Sequence, residues 1–314
     1  MTERPRPRSS PPSEWWMRSV PALIGAHLAL AVTLWGRPGS LGPYLWYLGP
    51  PVLALLAVVL LVIALASAIR RRTTWNRRRV VAYVGLALVA GAVLLYRTYP
   101  SSHDRRPSAV RFRLPLDGSV TVAWGGATAG VNYHVVQPDQ RWAYDFLVTE
   151  HGRSHRGDGR ALADYLAYDR PVRAPADGLV RVAHDGEPDM PPGKRSPKPA
   201  LGNHVVLEVA PGEFLFVLHL REGSVAVAAG ARVAAGQVIG RVGNSGTSTE
   251  PHVHVHLQDA PRPYFAEGIP FDFFGYRQER RLVARGMPRG GIVRGRFLGD
   301  VVEQVVWHGN EPIR

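Results

Sequence analysis

The run HVHVH places His252, His254 and His256 two residues apart. On a strand, that spacing projects all three imidazoles from one face while Val253 and Val255 point to the other. Such a row can present nitrogen donors to one metal ion and to its substrate together. As an isolated motif it can also be read as polar histidines on the solvent face of a barrel. The sequence contains no cysteine, which excludes a disulfide framework, a thiolate zinc site and a cysteine nucleophile. Any metal must therefore be held by histidines and carboxylates.

The surrounding sequence reads as β. Of 314 residues, 33 are Gly and 27 are Pro, mostly after residue 100, which favours short strands joined by turns. Val110 to Trp124 alternates apolar and polar residues around a DG turn and predicts a hairpin. GGATAG (Gly125 to Gly130) follows as a loop. Further β-type runs cover 141–148, 171–184, 203–210, 214–220, 225–243 and 252–258. Ala161 to Tyr168 looks helical, and Gly186 to Gly202, rich in Pro and Gly, reads as a flexible insertion. The tail after about Gly275 alternates like strands, with room for an extra hairpin in 291–307.

The composition, 46% hydrophobic and 20% charged, excludes general disorder. The net charge of +13 is concentrated at one end: residues 1–106 hold 14 arginines against 3 acids, whereas 107–314 hold 24 basic residues against 22 acids. With the distal part nearly neutral and lacking a basic stripe, a nucleic-acid partner is not expected. The first third carries three uncharged apolar stretches, Val20 to Trp35, Tyr44 to Ile69 and Val80 to Tyr96. A spanning helix needs roughly 20 such residues, and Trp15, Trp16, Trp35, Tyr44, Trp46, Tyr47 and Tyr96 suit the headgroup level. Three membrane spans are expected. Arg4, Arg6, Arg8 and Arg18 precede the first, six arginines (70–72 and 77–79) fill the second link, and only Arg37 lies in the first. Basic flanks tend to stay inside, so the amino terminus is expected in the cytoplasm and everything after about Pro100 outside it. The first stretch lacks a small-residue cleavage pattern and is expected to remain as an anchor.

Three separated blocks resemble the lysostaphin or LytM type of zinc endopeptidase, which cleaves peptidoglycan cross-bridges. They are NYHVVQPDQRWAYDF (132–146), FLFVLHL (214–220) and GNSGTSTEPHVHVHL (243–257), in the family's order. VRAPADGLVRV and AVAAGARVAAGQVIGRVG lie between them and match its intervening strand and hairpin. The resemblance implies that His134, Asp145 and His254 hold Zn2+, leaving a fourth position open. It implies that His219 and His252 are catalytic, one taking the proton of the attacking water and the other stabilising the oxyanion. Ten residues separate His134 from Asp145, against three in the commoner family spacing, and Asp139 in the gap is a rival ligand. Asp145 is preferred because it lies in a strand-like stretch where Trp142, Tyr144 and Phe146 take the opposite face; Asp139 follows a proline in a polar turn. His256 stands where many relatives have Glu or another polar residue, and can orient a ligand, touch substrate or simply face solvent. Tyr133, next to His134, can contact substrate or stabilise an oxyanion, with packing the preferred reading; His204 can approach the cleft, with a hydrogen-bonded structural role preferred; His27, His103, His151, His155, His184 and His308 are read as non-catalytic.

The expected layout is a basic cytoplasmic amino terminus (1–19), a three-helix transmembrane region (20–97), a linker (98–109), a LytM-like peptidase domain (110–275) and a C-terminal β extension of unknown role (276–314). The fold class expected of the exported domain is all-β, antiparallel sheets in a β-sandwich or barrel-sandwich hybrid. The expected protein is a multi-pass cell-membrane metallopeptidase acting on peptidoglycan peptides. The alternative is an inactive LytM-like module that binds cell wall or activates another wall hydrolase. A biotinyl or lipoyl carrier, which shares the Val-x-x-Gly hairpin, is excluded because the only lysines, Lys194 and Lys198, sit in the proline-rich insertion.

Overall fold

The computed structural model describes residues 15–197, 201–293 and 295–305. Arg4, Arg6, Arg8, Lys198, Trp307 and His308 lie outside the described residues. The chain divides into two compact units, one of residues 1–36 with 45–96, the other of 37–44 with 97–314.

The first unit is helical. Helices α1 (Trp15–Trp35), α2 (Gly42–Arg70) and α3 (Arg77–Gly91, continued by a 3-10 turn over Ala92–Leu95) coincide with the three apolar stretches. All three are long and apolar enough to cross a membrane. Asn76 caps α3, its side-chain oxygen accepting from Arg79 N at 2.9 Å. Trp16, Val20, Ala57, Ala64, Ala82 and Leu86 pack together, and Gly85 brings α3 against Val20, where a Cβ would lie 2.8 Å from its Cγ1. A small residue at a helix crossing lets the two backbones approach closely. Leu28, Val32, Leu55, Ile69 and Leu94 face outward.

In the second unit the chain forms β1 (Ser119–Trp124), β2 (Tyr144–Leu147), β3 (Pro171–Arg173), β4 (Gly178–His184), β5 (Asn203–Ala210), β6 (Glu213–Leu220) and β7 (Arg232–Val233). It continues with β8 (Val238–Arg241), β9 (Val253–Gln258), β10 (Phe273–Gln278), β11 (Arg281–Gly286), β12 (Ile292–Val293), β13 (Arg296–Phe297) and β14 (Val301–Gln304). Among the described residues ten strands form one sheet, in the order β11-β10-β14-β1-β2-β9-β6-β5-β4-β7, all paired antiparallel; β3–β8 and β12–β13 are small separate pairs. The architecture is thus three apolar helices followed by a large antiparallel β unit, as expected. Alternation sorts the central strands: Tyr144, Phe146, Val205, Leu215, Val217, Val253, Val255 and Leu257 join the main core, where Tyr144, Phe271 and Phe273 meet edge to face.

Five segments differ from expectation. Only the second half of 110–124 becomes a strand. Pro115 has no N–H for a ladder, and the preceding backbone bonds elsewhere, Arg113 N to Pro175 O and Leu114 N to the Gln304 side chain. Residues 161–168 make a 3-10 turn at Leu162–Asp164 rather than an α-helix, since β3 begins only three residues later. The described part of the insertion is tied to the loop before β9 by Met190 N to Asn244 O, Gly193 N to Thr249 O and Ser196 N to Gly246 O. Residues 98–109 pack into the β unit: Tyr99 and Ser101 are fully buried, and Tyr99 donates to Glu267 Oε1 at 2.6 Å. The C-terminal segment does more than add a hairpin, because β14 bridges β1 and β10 within the main sheet.

Candidate metal centre

Sheet register brings the chemistry together. Asp145 on β2 and Leu218 on β6 are the direct partners of His254 on β9. Asp145 therefore shares a face with His254, opposite Tyr144 and Phe146. His254 Nδ1 lies 2.8 Å from Asp145 Oδ1. His134 arrives from a 3-10 turn (Tyr133–Val136) whose N-cap is Asn132, and its Nε2 lies 3.7 Å from Asp145 Oδ2. One ligand atom from each of His134, Asp145 and His254 lies within 4.8 Å of the others, and all three residues are buried.

The donor set fits a dication. His134 is pushed down to about 3 by burial, which keeps it neutral. Burial acts to raise Asp145, but the three imidazoles around it, His134, His252 and His254, hold the carboxyl below its usual range. Among the described residues no lysine or arginine pairs with Asp145; its neighbours are His134, His252 and His254. A buried carboxylate among imidazoles needs a positive partner, which a bound cation supplies. Asp139 is placed differently. It is buried with Oδ2 accepting from Tyr264 N at 2.8 Å and Oδ1 unpaired, and burial pushes it up to about 6.

A second cluster, His103, Asp259 and Glu267, has comparable spacing. Its oxygens are already engaged: Glu267 accepts from Tyr99, Ser102 N and the Ser102 hydroxyl, while Asp259 accepts from Glu267 N and faces His103 Nε2. It fastens residues 98–109 rather than offering a vacant ligand set.

His219 and His252 flank the triad, with ring centroids 4.9 Å apart. Strict alternation would send His219 into the core beside Val217. The β5–β6 register instead shifts between the Asn203–Leu220 and Val205–Val217 pairs, and His219 adopts φ 63°. This bulge turns its ring to the histidine face while Leu220 takes the core position. Its Nδ1–H donates to Ser245 O at 2.9 Å, and burial holds its pKa well below the usual histidine value. At Gly243 a Cβ would lie 2.4 Å from Arg221 backbone atoms, so glycine allows the loop bearing Ser245 to pass this close to the end of β6. His252 Nδ1–H donates to Glu250 O at 2.8 Å. Both rings thus leave Nε2 with a lone pair.

The five residues line a cleft of 490 Å³ shared with Trp124, Tyr133, Arg195, Glu250, Ile292 and Phe297. Tyr133, half-exposed, stands edge-on to Trp124. Ile292 and Phe297 come from the β12–β13 pair, a contribution that no local feature of the tail announces. His256 is buried, stacked on Phe216 at 4.7 Å, with Nε2 3.0 Å from Gln258 Oε1. It is not a solvent-facing residue. His204 Nδ1–H donates to Gly202 O outside the cleft, and His27, His103, His151, His155 and His184 are likewise absent from its lining. Sequence reasoning missed Asn132 and Gln258. Both carried a signal: an N-cap asparagine two residues before His134, and a polar residue continuing the period-two row after His256.

Residues 162–265 match the family model described as Peptidase family M23. The matched segment contains His219, His252 and His254 but not His134 or Asp145. No curated protein matches the chain. Among solved structures, a variant catalytic domain of the prophage-encoded M23 protein EnpA from Enterococcus faecalis is 20% identical, covering 52% of this chain and 95% of its own, with a TM-score of 0.35. The catalytic domain of the antimicrobial peptidase lysostaphin from Staphylococcus simulans is 21% identical over 48% of this chain and 86% of its own, TM-score 0.29. A zinc-containing peptidase from Vibrio cholerae is 24% identical over 48% of this chain and 37% of its own, TM-score 0.29.

Proposed function

We propose, taking the M23 peptidase character of residues 162–265 as premise, that the chain is a membrane-anchored zinc metalloendopeptidase hydrolysing peptide bonds in peptidoglycan stem or cross-bridge peptides. The observation that carries this reading is the convergence of His134, Asp145 and His254 on one buried point beside two imidazoles whose Nδ1 atoms are held by carbonyls. His134, Asp145 and His254 are the proposed ligands. Bound there, Zn2+ supplies Lewis-acid polarisation of the scissile carbonyl and of the attacking water. His219 and His252 do the proton work. Each is held by a carbonyl at Nδ1, so Nε2 faces the cleft able to take the water's proton, and once protonated can donate to the developing oxyanion or the leaving amine. Asp145 keeps the site anionic, and Trp124, Ile292 and Phe297 limit water around it.

The three apolar helices support an anchor in the cell membrane, and the arginine distribution supports an extracytoplasmic β unit. The proposed plan keeps 20–97 as the anchor and 110–275 as the peptidase core, with 276–314 adding part of the cleft wall. The test is incubation of the purified protein with peptidoglycan, with and without a chelator. New amine termini that disappear with the chelator are expected. Wall binding without new termini would leave an inactive wall-binding module in its place.

A further inference from the structure

Hydrogen-bond accounting fixes which nitrogen of each metal-site histidine is free. Gln258 donates both amide hydrogens, to Ala260 O at 2.7 Å and Arg262 O at 2.9 Å, so its Oε1 can only accept. His256 Nε2–H fills it at 3.0 Å. The ring is buried against Phe216, and its Nδ1 is left as an acceptor for His254 Nε2–H at 2.9 Å. His254 then has one lone pair, on Nδ1, directed at Asp145 Oδ1. Asn132 repeats the logic on the other side. Its amide donates to Gly126 O at 3.0 Å and Ala143 O at 3.2 Å, while Oδ1 accepts from both His134 N and His134 Nδ1–H, leaving the His134 lone pair on Nε2. With both rings neutral, two lone pairs and a carboxylate face one point, an arrangement that a bound divalent cation stabilises.

We propose that Asn132 and the His256–Gln258 pair are positioning residues that lock the tautomers of His134 and His254, presenting Nε2 of the first and Nδ1 of the second to a divalent metal. This rests on the ligand assignment proposed above. It gives a role to His256, at which the sequence departs from the pattern it resembles, and links the metal site to the backbone at Ala260 and Arg262. No other group near His254 Nε2 is needed to fix its ring.

The test compares two substitutions in the full chain, purified in detergent, with Zn2+ affinity measured by competition against a chromophoric chelator. His256→Gln keeps an acceptor within reach of His254 Nε2 but loses the ring on Phe216. His256→Phe keeps the ring and loses the acceptor. The proposal expects His256→Phe to bind Zn2+ ten- to a hundredfold more weakly than wild type, with His256→Gln restoring most of that loss. A packing role for His256 predicts the reverse order, and equal affinity in all three proteins, or equal weakness of both variants, overturns the proposal. A wild type that takes up no Zn2+, or a His254→Ala variant that binds like wild type, overturns the ligand assignment along with it.

Discussion

Replacing His219 by glycine should separate catalysis from folding. His219 sits at φ 63°, where a residue with a Cβ bears roughly 1–2 kcal/mol of strain that glycine relieves. Against that gain, the substitution loses the Nδ1–H bond to Ser245 O, worth about 1 kcal/mol, and adds backbone entropy of roughly 0.5–1 kcal/mol. These terms nearly cancel, and losing the buried ring costs about 1–2 kcal/mol more, so stability should fall by no more than roughly 3 kcal/mol, a Tm decrease of up to roughly 12 °C for a unit of this size. Turnover should not survive. Loss of a positioned general acid–base group costs about 10²–10⁴ in rate, equivalent to roughly 2.7–5.4 kcal/mol of barrier. The assay is release of amine termini from peptidoglycan at saturating Zn2+, with bound metal measured in the same samples and His219→Asn, which tolerates the left-handed region, as a second variant. Turnover above a tenth of wild type, or loss of the metal, would refute the role given to this ring.

Three further outcomes are expected. His252→Ala should retain Zn2+ and lose turnover to a similar degree, and combining it with the His219 change should cost little more, because the two groups serve one proton inventory; fully multiplicative losses in kcat would argue against shared work. Tyr99→Phe removes a donor to the buried Glu267 carboxylate, a bond of about 1.5–3 kcal/mol, and should lower the Tm of the β unit by roughly 3–12 °C; an unchanged melt would mean that residues 98–109 contribute nothing to its fold. Asp139 is raised from 3.8 to about 6, so the folded state holds a proton that the unfolded chain releases, and stability falls as pH rises from about 4 through 6 by up to roughly 3 kcal/mol. Asp139→Asn should abolish that dependence, and denaturant midpoints that keep the same pH slope would contradict it.

The histidine row was legible because a period of two needs only a strand, and HVHVH on β9 obeys it. The position of Asp145 was legible for a related reason: aromatic residues at 144 and 146 declare a core face, which leaves residue 145 opposite, in register with His254. The aim of His219 was not, because it depends on a bulge set by pairing between β5 and β6, and alternation alone puts that residue in the core. The hairpin expected at 110–124 failed for a similar cause, its first half being drawn to Pro175 and Gln304, partners far along the chain. Residues 98–109 look like a linker by composition, yet Tyr99 finds a buried acid 168 positions away. Gln258 followed the readable period and was overlooked because an amide two residues past a histidine has no chemistry until its hydrogen bonds are counted.

In the proposed metal site, His134, Asp145 and His254 grip one dication. An anomalous-difference map recorded at the zinc edge from crystals of the Zn2+-loaded protein tests it most directly. A single strong peak bonded to His134 Nε2, the Asp145 carboxylate and His254 Nδ1 is the expected result. A peak at the His103, Asp259 and Glu267 cluster instead, or none among the cleft histidines, would contradict the account.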